Sequence, residues 1–280
     1  MKKIKIVCDT IVDLPIEIKN RLDVEVVPLK ALLNDVEYYD GADITNEEFY
    51  ELLDKSDEVA KTSQATYVQF KEVFERLLSE GYQVLYIGGS SNASGTFQSA
   101  FMASNDIGSE DIYLFDTLNI SLGGAIQVIK AIYLAEKGLS IKEIVTELER
   151  DRENIKLIFS VDTLEYLKKG GRISPAKATI GSLLSIKPLL TVIDGMPDII
   201  GKCRGKKQTL SKMFQLVKDH YDETKEFNKI LIGHGINKED GLKLKEMLKN
   251  TVKEENILLA TAGLSTTSHC GTNVFGLAFI

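Results

Sequence analysis

Cysteine and histidine are scarce in this chain of 280 residues. The three cysteines, Cys8, Cys203 and Cys270, lie far apart and cannot all be paired, which excludes a disulfide framework and predicts a reducing, cytoplasmic location. Neither they nor the three histidines have the spacing of metal ligands, so we expect no metal and no cofactor. No apolar run is long enough for a membrane span or a signal peptide, so we expect no stable membrane insertion.

Positive charge is scarce in the first half of the chain. Residues 1–151 contain 14 Lys and Arg against 27 Asp and Glu, whereas residues 152–280 contain 20 against 14. A surface this acidic argues against nucleic-acid binding by the first half. The asymmetry fits two differently solvated surfaces, or a half that docks on a partner protein by charge complementarity.

The first half alternates short apolar runs with amphipathic segments. The pattern predicts strands at residues 4–8, 84–87 and 112–115 and helices at residues 46–53, 67–80 and 122–137. The pairs Thr45 with Glu48 and Thr66 with Gln69 have the spacing of capping boxes, as does Ser140 before a further helix. This alternation is typical of a mostly parallel sheet flanked by helices, with ligands beyond the carboxyl ends of the strands.

The second half has a different pattern. It predicts strands at residues 157–161, 229–233 and 256–260, helices at residues 209–221 and 238–250, and a hairpin of residues 189–193 and 197–203. Asp194-Gly195 is a typical hairpin turn, and Asp162 with Glu165 has the spacing of a cap for a short helix. These elements indicate a mixed sheet with helices.

The length of the chain favours two domains. We predict an α/β class protein with an N-terminal α/β domain at residues 1–151 and a C-terminal α/β domain at residues 152–280. No low-complexity linker separates them, so we expect the two halves to share a substantial interface.

The loop of residues 88–96 is the most informative stretch. It contains three glycines, four hydroxyl side chains and no charge, and it joins a predicted strand to a predicted helix start. Backbone N–H groups in such a loop are free to point at an anion. The loop lacks the lysine of a Walker loop, so a carboxylate is the simplest candidate ligand.

Other candidate residues each have an ordinary structural interpretation as well. His269 lies among hydroxyls and glycine before a possible helix start, where it is either satisfied in a tight turn or in contact with a ligand. Thr62 and Ser63 precede the helix at residue 67 and are either part of its N-terminal cap or carboxylate donors. Arg172 follows two glycines and is either a helix-end cation or close to a ligand.

An ordered set of segments spans nearly the whole chain. The segments are Asp9, Thr62-Ser63-Gln64, Ser94-Gly95-Thr96, Ser99-Ala100, Asp116-Thr117, Gly123-Gly124, residues 163–174, Ile186-Lys187-Pro188, Asp194-Gly195 and His269. On this set the chain resembles the DegV family. The family usually has glycine-proline-glycine after the histidine, whereas this chain has Cys270-Gly271-Thr272-Asn273.

The resemblance implies two α/β domains with a long-chain fatty acid buried between them. It implies a protein that is not itself an enzyme and that serves as the acyl-binding partner of a bacterial fatty acid kinase, whose catalytic subunit phosphorylates the carboxylate. The ligand-site residues that it implies are Thr62, Ser63, Ser94, Gly95, Thr96, Arg172 and His269. Of these, Thr62, Ser94 and His269 would bond the carboxyl group, and Arg172 would lie near it or at the mouth where the kinase docks.

Two other functions stay open from the sequence. A serine hydrolase could use Ser94 as nucleophile and His269 as base, with Asp9 or Asp116 orienting the histidine. The second open function is that of a small-metabolite kinase, because the two-domain plan of this chain is similar to part of dihydroxyacetone kinase. The sequence has no Gly-x-Ser-x-Gly motif and no phosphate–magnesium constellation in support of either.

Overall fold

The computed structural model describes residues 2–174 and 186–280 of the chain. The first half contains a parallel sheet, a short antiparallel sheet and the helices around them. Its strands are β1 (Ile4–Asp9), β2 (Val24–Val27), β3 (Lys30–Leu33), β4 (Val36–Tyr39), β5 (Lys61–Ser63), β6 (Gln83–Gly88) and β7 (Ile112–Asp116). Its helices are α1 (Ile16–Lys19), α2 (Asn46–Lys55), α3 (Tyr67–Ser79), α4 (Thr96–Ile107), α5 (Ser121–Glu136) and α6 (Ile141–Arg152).

The parallel sheet has the strand order β2-β1-β6-β7. Apolar side chains of β1 and β6 are buried on both faces of the sheet, because α3 and α4 pack on one face and α5 on the other. Continuous apolar strands of this kind are typical of a covered parallel sheet. The predicted parallel sheet flanked by helices is confirmed.

Local side chains fix the starts of three helices. The capping boxes predicted from spacing are all formed, with Thr45 and Glu48 at α2, Thr66 and Gln69 at α3, and Ser140 and Glu143 at α6. In each box the hydroxyl accepts from a backbone N–H that would otherwise lack a partner.

The short antiparallel sheet β4-β3-β5 was not predicted from the sequence. Its strands have three or four residues, too few to show a period of two. The turn between β3 and β4 is Asn34-Asp35, and both residues have positive φ angles, 51° and 63°. This sheet positions Thr62, which lies on β5.

The second half contains a six-stranded mixed sheet. Its strands are β8 (Lys156–Ser160), β9 (Ile186–Ile193), β10 (Met196–Arg204), β11 (Ile230–His234), β12 (Ile257–Thr261) and β13 (Phe275–Phe279), and its helices are α7 (Glu165–Lys169), α8 (Gly205–His220), α9 (Lys238–Leu248) and α10 (Leu264–Cys270). The strand order is β10-β9-β8-β13-β11-β12. Among the described strands, β11 and β12 pair in parallel and the other neighbours pair antiparallel, so the predicted mixed sheet is confirmed.

Three local predictions for the second half have different outcomes. The hairpin of β9 and β10 is confirmed, and its turn residues Asp194 and Gly195 have φ angles of 49° and 77°. The predicted cap at Asp162 is wrong, because that carboxylate pairs with Lys187 and α7 begins without a side-chain cap. His269 does not precede a helix start but lies in the last turn of α10, a helix that was not predicted from the sequence.

Helix α5 is the structural centre of the molecule. Twelve of its sixteen residues are buried, and it packs against β1 and β6 of the parallel sheet and against β8, β11 and β13 of the mixed sheet. One apolar core therefore contains side chains from both halves, as expected from the absence of a linker. The division between residues 151 and 152 stays a prediction.

Within residues 2–174 and 186–280, no helix has the length and apolarity needed to cross a membrane. Cys8, Cys203 and Cys270 are buried, unpaired thiols.

Candidate ligand-binding site

A cavity of about 60 Å³ lies between the two halves, and we call it the head cavity. It brings together Thr62, Ser94, Arg172 and His269, which come from β5, the loop before α4, the turn after α7, and α10. The other lining residues are Ile11, Leu29, Ala93, Ile120, Leu167, Pro197, Ser265, Thr266 and Cys270. Residues more than 200 positions apart in sequence therefore share one polar end of a mostly apolar cavity.

His269 and Thr62 form a direct hydrogen bond. Nε2 of His269 lies 2.9 Å from Oγ1 of Thr62, and Nδ1 is buried without a partner among the described residues. A buried N–H without an acceptor is costlier than a bare lone pair, so we infer that the proton is on Nε2 and is donated to Thr62. The Thr62 hydroxyl is then free to donate its own proton to a ligand.

The loop of residues 88–96 does not present its backbone to the cavity as predicted. The N–H groups of residues 89–94 and of Thr96 all donate to acceptors within the protein, including Asp9, Asn119 and Asp116. The expectation of free backbone donors is therefore wrong for these positions. The polar group that the loop brings to the cavity is the hydroxyl of Ser94.

Three implied site residues lie outside the lining of the head cavity. Thr96 is fully buried, and its Oγ1 lies 2.9 Å from Oγ of Ser94 and accepts from the N–H of Ala65. Gly95 makes room for a neighbouring side chain, because a Cβ there would lie 2.0 Å from Oε1 of Gln64. Ser63 is exposed, since alternate residues of β5 face opposite sides, and it does not line the cavity.

Arg172 is a partly buried cation that has no counter-ion among residues 2–174 and 186–280. Its Nε donates to the carbonyl of Ala93 at 3.1 Å, and one terminal nitrogen donates to the carbonyl of Gly170 at 2.5 Å. No carboxylate of the described residues pairs with it, and burial lowers the pKa of its guanidinium. Its position beside the polar end of the head cavity makes it a suitable partner for an anion.

The environment keeps His269 neutral. Burial and, to a smaller extent, the positive charge of Arg172 lower the pKa of His269 to about 4. Apart from Arg172, the polar side chains that line this cavity are therefore uncharged near pH 7.

Two buried carboxylates hold the helix that carries His269. Asp40 accepts from the N–H groups of Leu264 and Ser265, and Asp13 accepts from the N–H of Gly263 and the hydroxyl of Thr266, both at 2.7 Å. Burial raises the pKa of both carboxyls, that of Asp13 to about 6. Neither residue could be recognised from the sequence, because their partners lie more than 220 positions away.

The arrangement of a serine hydrolase is not formed. Asp9 accepts from the hydroxyl of Tyr86 and from two backbone N–H groups, and Asp116 accepts from the N–H groups of Ser91 and Leu118. Neither carboxylate bonds to His269. Nδ1, the atom that a triad carboxylate would hold, has no partner among the described residues.

A second cavity of about 30 Å³, the tail cavity, adjoins the head cavity. The two cavities share Ile120, Thr266 and Cys270, which we call the neck. Beyond the neck the lining is largely apolar and consists of Asp13, Ser121, Leu122, Leu157, Phe159, Gly233, His234, Ala262, Val274 and Gly276. Cys270, where the chain departs from the usual family pattern, therefore lies at the neck.

A larger cavity lies apart from the head cavity. It is a polar cleft of about 520 Å³ on the other side of Asp13 and His234, with charged residues such as Lys19 and Glu47 in its lining. Nδ1 of His234 donates to the carbonyl of Gly235 at 2.8 Å, and His220 is exposed at the end of α8. Neither histidine lines the head cavity.

We expect His269 to make the stability of the ligand-free chain depend on pH. Because its pKa is about 4 in the folded chain and near 6.5 in a free side chain, its favourable contribution is present above pH 6.5 and is lost as the pH falls through 4. The difference in unfolding free energy between the wild type and His269→Gln, measured with urea, should fall by about 3 kcal/mol between pH 7 and pH 4. Asp13 changes the unfolding free energy with pH in the opposite direction, but it does so in both proteins, so its effect cancels in the difference. If the difference between the two proteins does not vary with pH, His269 is not a buried, neutral ring.

Comparisons with known proteins agree with this architecture. A family model described as "Uncharacterised protein, DegV family" matches residues 3–280. A DegV domain-containing protein of Clostridium acetobutylicum is 35% identical over 281 residues, which cover 100% of this chain and 99% of the relative. A counterpart in Clostridium perfringens is 34% identical over 282 residues, with the same coverage.

Solved structures give the same result. A DegV family protein of Thermus thermophilus, described by its fatty acid binding, matches with a TM-score of 0.90 and 32% identity over 99% of each chain. DegV of Bacillus subtilis, described as a fatty acid binding protein, matches with a TM-score of 0.85 and 27% identity over 99% of each chain. The chain therefore belongs to the DegV family.

Proposed function

We propose that this chain binds a long-chain fatty acid, with the carboxylate in the head cavity and the alkyl chain extending through the neck into the tail cavity. One observation carries the proposal: a cavity with uncharged hydroxyls and a cation that pairs with no carboxylate of the described residues adjoins an apolar cavity. The relatives described as fatty acid binding proteins support it. The two cavities would then hold two parts of one ligand, the carboxylate and the alkyl chain.

The polar end offers a carboxylate both charge and hydrogen bonds. The Thr62 hydroxyl has a proton to donate, because its oxygen already accepts from His269. Ser94 supplies a second hydroxyl and Arg172 supplies the positive charge. Hydrogen bonds to a charged group contribute about 1.5–3 kcal/mol each, which mostly offsets the lost hydration of the carboxylate.

The alkyl chain supplies most of the affinity. Burial of about 15 methylenes at roughly 0.8 kcal/mol each gives about 12 kcal/mol before the costs of ordering the ligand. The head group then provides orientation and selects an acid over a neutral lipid.

The neck has to open for the ligand to enter. Cavities of about 60 and 30 Å³ have room for a few water molecules, and a complete acyl chain is larger than either. In this proposal the side chains of Ile120, Thr266 and Cys270 move apart as the chain passes between the two cavities.

A direct test is to identify the ligand that the protein carries from a bacterial host. Organic extraction and mass spectrometry should yield an acid of roughly 14 to 18 carbons, and the delipidated protein should take up palmitate. Thr62→Val keeps the side-chain shape but removes the hydroxyl, so it should bind palmitate about tenfold more weakly. The proposal fails if the wild type yields no acid and takes up neither palmitate nor oleate.

We further propose that the chain is not an enzyme by itself and presents the carboxylate to the catalytic subunit of a fatty acid kinase in a bacterial cytoplasm. The half-buried Arg172 beside the head cavity and the net positive charge of residues 152–280 suit docking by charge complementarity. Three unpaired thiols suit a reducing compartment.

The kinase proposal is tested with added partner. The palmitate-loaded chain, mixed with a bacterial fatty acid kinase subunit and ATP, should give palmitoyl phosphate, which hydroxylamine converts to a hydroxamate. Each component is omitted in turn as a control. Equal product from palmitate and the kinase subunit without this chain would contradict a presenting role.

A further inference from the structure

Two adjacent positions after α7, Gly170 and Gly171, are glycine for different structural reasons. Gly171 has a φ of 71°, and a Cβ there would meet no atom of the described residues within 4 Å, so the backbone conformation explains this glycine. Gly170 has φ and ψ angles of −74° and −8°, which any L-residue adopts. Its N–H closes α7 by donating to the carbonyl of Tyr166 at 2.9 Å. The backbone therefore does not explain Gly170.

His269 is what excludes a side chain at position 170. A Cβ there would lie 2.2 Å from Nδ1 and 2.8 Å from Cε1 of His269, well inside van der Waals contact. On its other side the ring is bonded to Thr62 through Nε2. The imidazole thus fits between the Thr62 hydroxyl and the bare Cα of Gly170.

We propose that Gly170 is a positioning residue that, by lacking a side chain, lets His269 hold the Thr62 hydroxyl in the orientation that donates to a carboxylate. The inference rests on the proposed function for its ligand and adds a residue to that site. With a methyl group at position 170, the ring would have to rotate or move, and the bond from Nε2 to Thr62 would break.

The same residue also fixes the cation of the site. The carbonyl of Gly170 accepts from Arg172, while its Cα faces Nδ1 of His269. The turn therefore sets the distance between guanidinium and imidazole without a direct bond between them. Gly171 takes no part in either contact. Gly171→Ala is therefore a matched control for Gly170→Ala.

The test compares Gly170→Ala with Gly171→Ala in the full chain. In the ligand-free protein, Gly170→Ala should change the imidazole resonances of His269 and move its pKa from about 4 towards 6.5, whereas Gly171→Ala should not. In binding assays, Gly170→Ala should weaken myristate about tenfold or more while leaving 1-tetradecanol within about twofold, because only the acid needs the oriented hydroxyl. Gly171→Ala should lower the melting temperature but keep the acid-to-alcohol ratio of the wild type.

A double-mutant cycle separates positioning from general damage. In the His269→Ala background, Gly170→Ala should cause no further loss of myristate affinity, because the ring that it displaces is absent. Unchanged histidine resonances in Gly170→Ala, an equal effect of Gly171→Ala, or additive losses in the cycle would each overturn the inference. If the wild type binds neither lipid, the proposed function fails, and the resonances of the ligand-free protein still decide the role of Gly170.

Discussion

Replacement of Ala262 by leucine is expected to abolish tight binding of long fatty acids while sparing short ones. Ala262 follows β12 and is a buried residue in the lining of the tail cavity. Its backbone is fixed by two bonds, a donation to the carbonyl of His234 and an acceptance from the hydroxyl of Tyr50, so the added side chain has to occupy the cavity. If three or four methylenes lose their place at about 0.8 kcal/mol each, palmitate affinity falls about 100-fold.

The measurement is a series of dissociation constants for saturated acids of 10 to 18 carbons. Decanoate is the internal control, because a short chain need not reach beyond the neck. Ala262→Ser, with a similar volume, should retain the long acids. Urea unfolding of each variant detects a cost of overpacking, which is typically about 1–3 kcal/mol. A uniform loss along the series, or no loss at 16 carbons, would show that the alkyl chain takes a different path.

Asp9→Ala is expected to have the largest effect on stability. Asp9 is fully buried at the end of β1, and it accepts from the hydroxyl of Tyr86 at 2.6 Å and from the N–H groups of Ile11 and Gly89 at 2.8 and 3.0 Å. Alanine would leave three buried donors without an acceptor. We expect the free energy of unfolding to fall by about 3–5 kcal/mol, which corresponds to a loss of about 5–9 °C in melting temperature for a chain of this length.

Two variants control for this result. Tyr86→Phe removes one of the three donors and should cost about 1 kcal/mol. Asp9→Asn keeps one oxygen acceptor and also removes the penalty of a buried charge, which raises the pKa of this carboxyl, so it should be less harmful than alanine. If Asp9→Ala were as stable as the wild type, the three bonds would contribute little and Asp9 would be available for another role.

The sequence predicts elements whose causes are local. The capping boxes at Thr45, Thr66 and Ser140 and the Asp194-Gly195 turn need only residues a few positions apart, and all are formed. Helix α10 could not be predicted in this way. Its sequence is rich in threonine and serine, which have low helix propensity, and carboxylates from more than 220 positions away bond to its first N–H groups.

In the candidate site too, some features could be predicted from the sequence and others could not. The family resemblance implied four residues that the structure brings to one cavity, Thr62, Ser94, Arg172 and His269. The spacing did not reveal that the loop before α4 uses its own N–H groups internally, nor that Ser63 faces outwards. The neck and the tail cavity were also missed, because apolar residues that line a cavity and those that fill a core have the same sequence pattern.

The position of α5 limits how a ligand can reach the cavities. A clamshell motion of the two halves would pull this helix away from at least one sheet and expose many of its twelve buried residues to water. At about 1.5–3 kcal/mol for each large apolar side chain, exposing even half of them would cost several kcal/mol, whereas a local displacement at the surface avoids this cost. We therefore expect loading and unloading to proceed by local displacement at the protein surface, so amides within α5 should exchange with solvent equally slowly whether lipid is exchanging or not.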